Sequence, residues 1–514
     1  MEIIKRLYSS ATSTPNRLPY TLLFLFSVLV NASFGYRLNI VYSFTLFFLF
    51  LLMLKFSRQL HILITIFLTL IAAFYFPVGQ IFGTPDYAII SSAFYTNKVE
   101  AGDLLSTIPT IYYIGSVLIL ILGIIVASLR LNPPLKRIKL IAAFVLISLL
   151  FAPIKMALTE GHLTEIGFTP VKFLIEAYRN TYFINTQYKE FKAISSGKDS
   201  WENVSANPKY KTYILVIGES ARKDLMRNYG FPINNTPFAS KSNGLFFSNY
   251  LSAGPATVIS LTHSLAEHHN NQVQLQNNII TLAKKAGFYT WWISNQGYLG
   301  EFDTPISIMG KSANSAIFLQ KDLARFKDAN DTAMLPFIKS ALNNSIKKPK
   351  LIVVHLIGSH SPFCKRTNNQ FDVYFHSKDL SCYIQSIHNT DTLLKNIVRL
   401  AKSAKNSWSM MYFSDHGLGM EKGILEHTDK YQQDYRIPMF IISSDDTQKK
   451  TITVYRSALN FPFLFSQWTG INAKGLKTAC HYLSNEACKN QTSVIMMDNK
   501  TKKDINTLPL NLIK

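Results

Sequence analysis

The sequence predicts an N-terminal domain of five transmembrane helices followed by an α/β domain with a largely parallel central sheet. Three observations lead there. Long apolar runs crowd the first 160 residues. Beyond residue 209, short apolar runs alternate with helix-patterned stretches. Charged residues make up only 16% of the chain, beside 36 Phe and 25 Tyr, whereas an ordinary soluble domain carries about a quarter charged residues. A chain of 514 residues has room for two or three domains. The expected division is a membrane domain over 1–157, an amphipathic linker over 158–208 and an α/β domain over 209–514.

The apolar segments run from about Tyr20 to Ala32, Asn39 to Leu54, Leu60 to Phe76, Ile111 to Leu129 and Leu140 to Ile154. Several fall short of the roughly 20 residues that cross a bilayer, and flanking Tyr, Asn and Ser complete them. Basic residues fall at alternate ends. Lys5, Arg6 and Arg17 precede the first segment, Lys55 and Arg58 join the second and third, and Arg130, Lys136, Arg137 and Lys139 join the fourth and fifth. This is the positive-inside pattern with a cytoplasmic N-terminus. Five crossings then put everything after Glu160 on the outer side of the membrane. Other segments follow the first directly, so it reads as an anchor rather than a cleaved signal peptide. The long connection from Pro77 to Thr110 either holds a lipid substrate at the membrane surface or simply joins two helices.

The formal charge of +22 does not point to nucleic acid, because no dense basic run accompanies a nucleic-acid module. Part of the excess orients the apolar segments, and the rest suits a domain beside anionic lipid. Four cysteines, Cys364, Cys382, Cys480 and Cys488, all lie in the C-terminal part. An even count in an oxidising compartment reads as two disulfides. Sequential pairing is the simplest of three possible connectivities, and the absence of a CxxC spacing argues against a thiolate zinc site.

Residues 158–208 include "VKFLIEAYRNTYFINTQYKEFKAI", an amphipathic pattern that suits a bilayer surface or a plain helical linker. The α/β domain opens with "TYILVIG", a buried-strand pattern ending on Gly218. Further strand patterns are "GLFFSNYL", "FYTWWIS", "PKLIVVHLIG", "WSMMYFSD" and "IPMFIIS", with helical patterns between them. That alternation predicts an α/β sheet whose chemistry gathers at the carboxyl ends of its strands. Those ends deliver Glu219 and Ser220, the Thr257 loop, Asn295 and Gln296, His355 and His360, and Asp415 with His416. Carboxylates, imidazoles and one hydroxyl thus converge on one sheet edge.

Glu219, Asp415 and His416 offer oxygen and nitrogen donors suited to zinc. The fourth donor can be the nucleophile, whose hydroxyl proton a metal makes easier to lose. Thr257 in "GPATVIS" fits that role at a helix start, where free N–H groups favour a phosphoryl group. The same position suits an ordinary N-cap. His355, His360 and His427 fit three roles: orienting phosphoryl oxygens, holding a second metal, or protonating a leaving group. Each is equally consistent with a satisfied core or surface histidine.

"YILVIGESARKDLMRNYG", "GPATVISL", "WWISNQ", "HLIGSHSPF" and "YFSDHGLGM" together resemble the phosphoethanolamine transferases of Gram-negative envelopes. These are membrane-anchored members of the alkaline phosphatase and sulfatase superfamily. The resemblance covers the whole chain and implies a five-helix anchor with a periplasmic sulfatase-like domain. It implies Zn2+ on Glu219, Thr257, Asp415 and His416, with room for a second ion near His360 and His427. Thr257 is implied as the nucleophile that takes phosphoethanolamine from phosphatidylethanolamine, with His360 and His427 in proton transfer. His355, Asn295 and Gln296 resemble substrate-contacting positions. The implied partners are the lipid donor, membrane lipids, and lipopolysaccharide or another glycan as acceptor, with a monomer in the bacterial inner membrane.

Departures from the lipid A branch leave the acceptor open. Ala253 stands where that branch often has cysteine, "GPAT" replaces "GTST", and the stretch after "SDHG" is shorter. Lipid A, core sugar and periplasmic glucan all stay open as acceptors. A phosphoglycerol transferase using phosphatidylglycerol is the alternative within the superfamily. A catalytically dead scaffold or sensor is the non-enzymatic one. A formylglycine sulfatase requires Cys or Ser at the nucleophile, and position 257 is Thr.

Overall fold

The computed structural model describes residues 17–86, 89–90, 93–94, 102, 105, 108–131, 138–160, 166–195, 197–269, 272–296, 304–319, 330–421 and 423–513. Much of the Pro77–Thr110 connection, and the charges at positions 5, 6, 136 and 137, lie outside the described residues. The chain divides into two compact units with the boundary between Asn185 and Thr186.

The first unit is helical. It comprises α1 (Arg17–Ala32), α2 (Ile40–Phe56), α3 (Arg58–Ile81), α4 (Thr110–Ser128), α5 (Ile138–Glu160) and the first part of α6 (Thr169–Ser195). Asn39 caps α2, its side chain accepting from the Val41 N–H at 2.9 Å. Ser57 ends α2 and caps α3 by accepting from the Leu60 N–H at 3.2 Å, so one residue makes the turn. Helix α3 runs through Pro77 to Ile81, beyond the expected end at Phe76. Among the described residues, three helices are long and apolar enough to cross a membrane: α3, α4 and the Ile138–Lys155 part of α5. Helices α1 and α2, with 16 and 17 residues, are shorter apolar helices.

Polarity in this unit is inverted relative to a soluble bundle. Phe74, Ile124 and Ile147 are exposed, while Asn31, Thr45, His61 and Thr65 are buried. Asn31, Thr45 and His61 find partners on other helices. The Thr45 hydroxyl donates to Ser148 Oγ at 2.8 Å, and His61 Nε2 sits 3.1 Å from the Val126 carbonyl. Such bonds join helices where hydrophobicity alone drives no association. Gly123 on α4 permits a close approach to α3, since a Cβ there would lie 2.1 Å from Thr69 Oγ1.

The second unit begins earlier than the expected boundary at 209. Trp201 is buried in its core, and Ser205–Ala206 pairs antiparallel with Ile471–Asn472. Its central sheet contains β1 (Thr212–Gly218), β2 (Gly244–Leu251), β3 (Tyr289–Ser294), β4 (Ser315–Phe318), β5 (Lys350–His355), β6 (Trp408–Ser414), β7 (Arg436–Ile437), β8 (Met439–Ser443) and β9 (Lys449–Ser457). Their order is β7-β2-β8-β6-β1-β5-β3-β4, with β9 on the far side of β2. The β6-β1, β1-β5, β5-β3, β3-β4 and β9-β2 pairings are parallel. The β7-β2, β8-β2 and β8-β6 pairings are antiparallel. Only the β7–β8 run therefore opposes the rest, and β1, β2, β3, β5 and β6 all deliver their following loops to one edge.

Every residue of β1, β5 and β6 is buried, as strands covered on both faces require. Alternation sorts their side chains. Tyr213, Leu215 and Ile217 join the core on one face, and Ile214 and Val216 the core on the other. On that second face lies α8 (Lys378–Ser403), which buries Leu393, Leu394 and Ile397 against Ile352 and Met410. The shorter α7 (Thr257–Leu265) contributes Leu261 and Leu265 to the first face. The cysteines pair Cys364–Cys382 and Cys480–Cys488, the sequential connectivity.

Candidate active site

The carboxyl ends of β1 and β6 are neighbours in register, Gly218 beside Ser414. Glu219 and Asp415, the next residue of each strand, therefore emerge side by side. Gly218 is required here, because a Cβ would meet the Tyr412 hydroxyl at 2.7 Å. Ser220 then takes a left-handed φ of 57°. Its N–H donates to Asp415 Oδ1 at 2.9 Å and its hydroxyl to Glu219 Oε1 at 2.7 Å.

Thr257 comes from the loop after β2 and is the first residue of α7, while Ala256 occupies the N-cap position without a side-chain cap bond. The capping alternative is thereby set aside: the Thr257 hydroxyl turns to the strand ends. It donates to Glu219 Oε2 at 3.1 Å and lies 3.3 Å from His416 Nε2. His416 Nε2 is also 3.3 Å from Glu219 Oε1 and 3.3 Å from Asp415 Oδ2. The other ring nitrogen, Nδ1, sits 2.7 Å from the Gly417 carbonyl. That contact assigns a proton to Nδ1, so Nε2 is the nitrogen that faces the cluster and offers its lone pair once its own proton is displaced.

Two buried carboxylates beside one buried imidazole make a centre that attracts positive charge. Glu219, Asp415 and His416 are all about fully buried. Burial opposes ionisation of Glu219, yet the His416 hydrogen bond and charge hold it well below the usual carboxylate range. Burial and the neighbouring Glu219 charge push Asp415 upward. Burial works against a charged His416, but Asp415 and Glu219 outweigh it and raise the imidazole to about 9. Among the described residues, Asp415 Oδ2 is buried without a hydrogen-bond partner. An orphaned carboxylate oxygen, a second carboxylate and an imidazole lone pair fit a divalent cation with a taste for nitrogen and oxygen. Glu219, His416 and His427 also place one donor atom each within 4.8 Å of one another.

His427 enters from outside the central sheet. It follows a two-stranded hairpin, Gly419–Glu421 with Ile424–Glu426, and its ring lies 4.7 Å from that of His416. It is exposed where His416 is buried. His360 follows β5 and Gly358, and its Nδ1 lies 2.6 Å from the Ser361 carbonyl, which leaves Nε2 as its other functional atom.

Of the three expected substrate contacts, His355 and Asn295 have partners away from the cluster and Gln296 has one within it. His355 is 3% exposed, packs edge-on to Trp292, and is pushed down to about 4 by burial; it is a neutral core imidazole. Asn295 is buried and donates to Asp331 Oδ1 at 2.9 Å. Gln296 donates to Glu219 Oε2 at 2.7 Å and to the Leu356 carbonyl at 2.9 Å. It thus holds a member of the cluster.

The sulfatase family model matches residues 211–471, a range that spans every residue just described. The phosphoethanolamine transferase OpgE of Escherichia coli K12 is 34% identical over 475 residues, covering 90% of each chain. The chain belongs to the phosphoethanolamine transferase family. Among solved structures, the integral membrane lipooligosaccharide phosphoethanolamine transferase A (EptA) of Neisseria meningitidis aligns over 89% of this chain and 97% of its own. The TM-score is 0.62 at 16% identity. The C-terminal periplasmic domain of E. coli EptC, solved in complex with Zn, aligns over 61% of this chain and 98% of its own, with a TM-score of 0.54 at 21% identity. This transferase therefore has an EptA-like fold, with a sulfatase-type α/β domain and N-terminal apolar helices.

Several supporting residues of the transferase escaped sequence reasoning. Asp331 accepts from the Ile357 and Gly358 N–H groups at 3.0 and 2.9 Å, tying down the loop that leads to His360. Ser260, one turn after Thr257, donates to the Asp415 carbonyl at 2.5 Å. The Ser414 hydroxyl accepts from Ala221 N–H and donates to the His416 carbonyl. These are common residue types with no motif of their own. Only the strand register that brings residues 218 and 414 together exposes their roles.

Proposed function

We propose that the protein is an inner-membrane enzyme that moves phosphoethanolamine from phosphatidylethanolamine to an envelope acceptor through a phosphothreonine at Thr257. The acceptor class is lipopolysaccharide, at lipid A or a core sugar, or a periplasmic glucan. One observation carries the reading: the Thr257 hydroxyl stands at a helix start, 3.1 Å from Glu219 and 3.3 Å from His416. No structural demand of the helix explains that placement, whereas a nucleophile beside a cation site does.

Glu219, Thr257, Asp415 and His416 would hold Zn2+, in keeping with the orphaned Asp415 oxygen and the zinc in the EptC domain. When bound, zinc supplies Lewis acidity that favours loss of the Thr257 proton and offsets charge on the phosphoryl oxygens. Thr257 Oγ1 attacks phosphorus, and the bond to the diacylglycerol oxygen breaks. His360 or His427 gives that oxygen its proton. The first-turn N–H groups of α7 face the transferred group. An acceptor hydroxyl then attacks the phosphothreonine, loses its proton to the same imidazole, and frees Thr257. Five membrane crossings with a cytoplasmic N-terminus would keep the monomeric enzyme where its donor lies and its catalytic unit in the periplasm.

Purified protein incubated with phosphatidylethanolamine should yield a Thr257 peptide heavier by one phosphoethanolamine, and Thr257→Ala should yield none while remaining folded. Transfer to acceptor by the Thr257→Ala variant would sink the mechanism. Labelling by phosphatidylglycerol in place of phosphatidylethanolamine would move the donor to the phosphoglycerol class.

A further inference from the structure

Among the described residues, the hairpin that leads to His427 belongs to no larger sheet, and its two strands pair only with each other. A ladder of three residue pairs cannot by itself fix an imidazole beside His416. Local contacts help, the Thr428 hydroxyl donating to Asp434 at 2.7 Å and Lys430 pairing with Glu421 at 2.7 Å, and a further hold comes from residues 508–513, more than 80 positions further along the chain. Asn511 grips the hairpin like a third strand. Its side-chain Oδ1 accepts from the Met420 N–H at 2.7 Å, and its Nδ2 donates to the Met420 carbonyl at 3.1 Å. Its own N–H donates to Gln433 Oε1 at 2.6 Å, on the other flank of His427. Its carbonyl accepts from Arg222 Nη2 at 2.7 Å.

Arg222 extends the grip to the catalytic strand end. It is fully buried, three residues after Glu219. Its Nη1 donates to the Leu418 carbonyl at 3.2 Å, two residues past His416. Its Nε and Nη2 donate to Asp224. Ile513 packs in the same apolar cluster as Leu418, Met420 and Leu425. The Leu508 and Pro509 carbonyls accept from Gln432. The segment therefore touches both sides of the loop bearing His427 and, through Arg222, the loop bearing Glu219.

We propose that Asn511 is a positioning residue of the active site: by pairing with Met420 and anchoring on Arg222, it sets the place of His427 beside His416. A single carboxamide that satisfies both backbone groups of one residue does what an added strand would do, at a point where the sheet supplies none. The inference rests on the proposed role of His427 in the metal and phosphoryl site.

The test uses the full-length chain and its Asn511→Ala, Asn511→Asp, His427→Ala and Asn511→Ala/His427→Ala variants. Hydrogen exchange of the 419–427 amides reads the grip without reference to activity. Asn511→Ala should speed it about tenfold or more, and Asn511→Asp, which keeps the oxygen that accepts from Met420, should restore part of the protection. Zinc affinity by chelator competition reads the site, and Asn511→Ala should lower it about tenfold. That loss should vanish in the His427→Ala background, because positioning acts through the imidazole. Unchanged exchange in Asn511→Ala overturns the proposal, as does an equal zinc loss with and without His427. Faster exchange in a protein that binds no zinc in any variant would instead refute the metal reading and leave the grip standing.

Discussion

Replacing Gln296 by alanine should weaken zinc binding without unfolding the protein. In the structure the Gln296 amide donates to Glu219 Oε2 at 2.7 Å and to the Leu356 carbonyl at 2.9 Å, so it ties one carboxylate of the cluster to the loop after β5. Glu219 also interacts with Ser220 at 2.7 Å, Thr257 at 3.1 Å and His416 at 3.3 Å. Gln296→Ala removes the short hydrogen bond to Oε2, the oxygen Thr257 shares. A hydrogen bond to a charged acceptor contributes about 1.5–3 kcal/mol. If that energy orients Glu219 for the metal, its loss corresponds to about 10- to 100-fold in affinity, the range seen for residues behind metal ligands. Competition against a zinc chelator at fixed pH measures this directly, and unfolding of the metal-free chain shows whether the fold has changed. An affinity within twofold of the parent would refute the assignment of Gln296 to Glu219 and return it to the substrate side.

Asp331→Ala should destabilise the second unit by about 3 kcal/mol, since it leaves the Ile357 and Gly358 N–H groups and the Asn295 amide without their acceptor. Denaturant unfolding followed by tryptophan fluorescence reports this unit, which contains all five Trp residues, and a change below about 1 kcal/mol would contradict it. Zinc affinity should fall as pH drops. Burial opposes a charged His416, but Asp415 and Glu219 raise the imidazole to about 9, and Asp415 is raised as well, so below pH 9 the cation must displace protons. A pH-independent affinity between pH 6 and pH 9, on a scale of about one decade per unit per proton, would speak against these groups as ligands. Gly123→Leu should separate α3 from α4, because even a Cβ would lie 2.1 Å from Thr69 Oγ1; overpacking of this kind costs about 1–3 kcal/mol. An unchanged yield of monodisperse protein in detergent would show that the contact does not hold the helices.

Strand ends were legible because a parallel sheet collects them. Glu219, Thr257 and His416 are separated by 38 and 159 positions, yet each follows a strand pattern readable from alternation and apolar content. The apolar helices were legible for the same reason, though not their lengths: α3 continues through Pro77, which a breaker rule alone would place outside it. For His355, Asn295 and Gln296, sequence reports that a residue ends or follows a strand but not which way its side chain turns. His355 is the last residue of β5, inside the core rather than beyond it. Asp331 and Asn511 were invisible because their work is backbone hydrogen bonding to distant loops, which leaves no periodicity or spacing to read.

The helix that begins at Thr257 lacks a side-chain cap, Ala256 occupying the position where Ser or Asp would add about 1 kcal/mol. That omission sets stability against turnover. An aspartate at 256 would strengthen the helix, but it would do so by lodging a permanent anion on the amides proposed to receive a transient one. A consensus-guided search for a sturdier protein would therefore select, at this residue, a built-in competitor of the substrate.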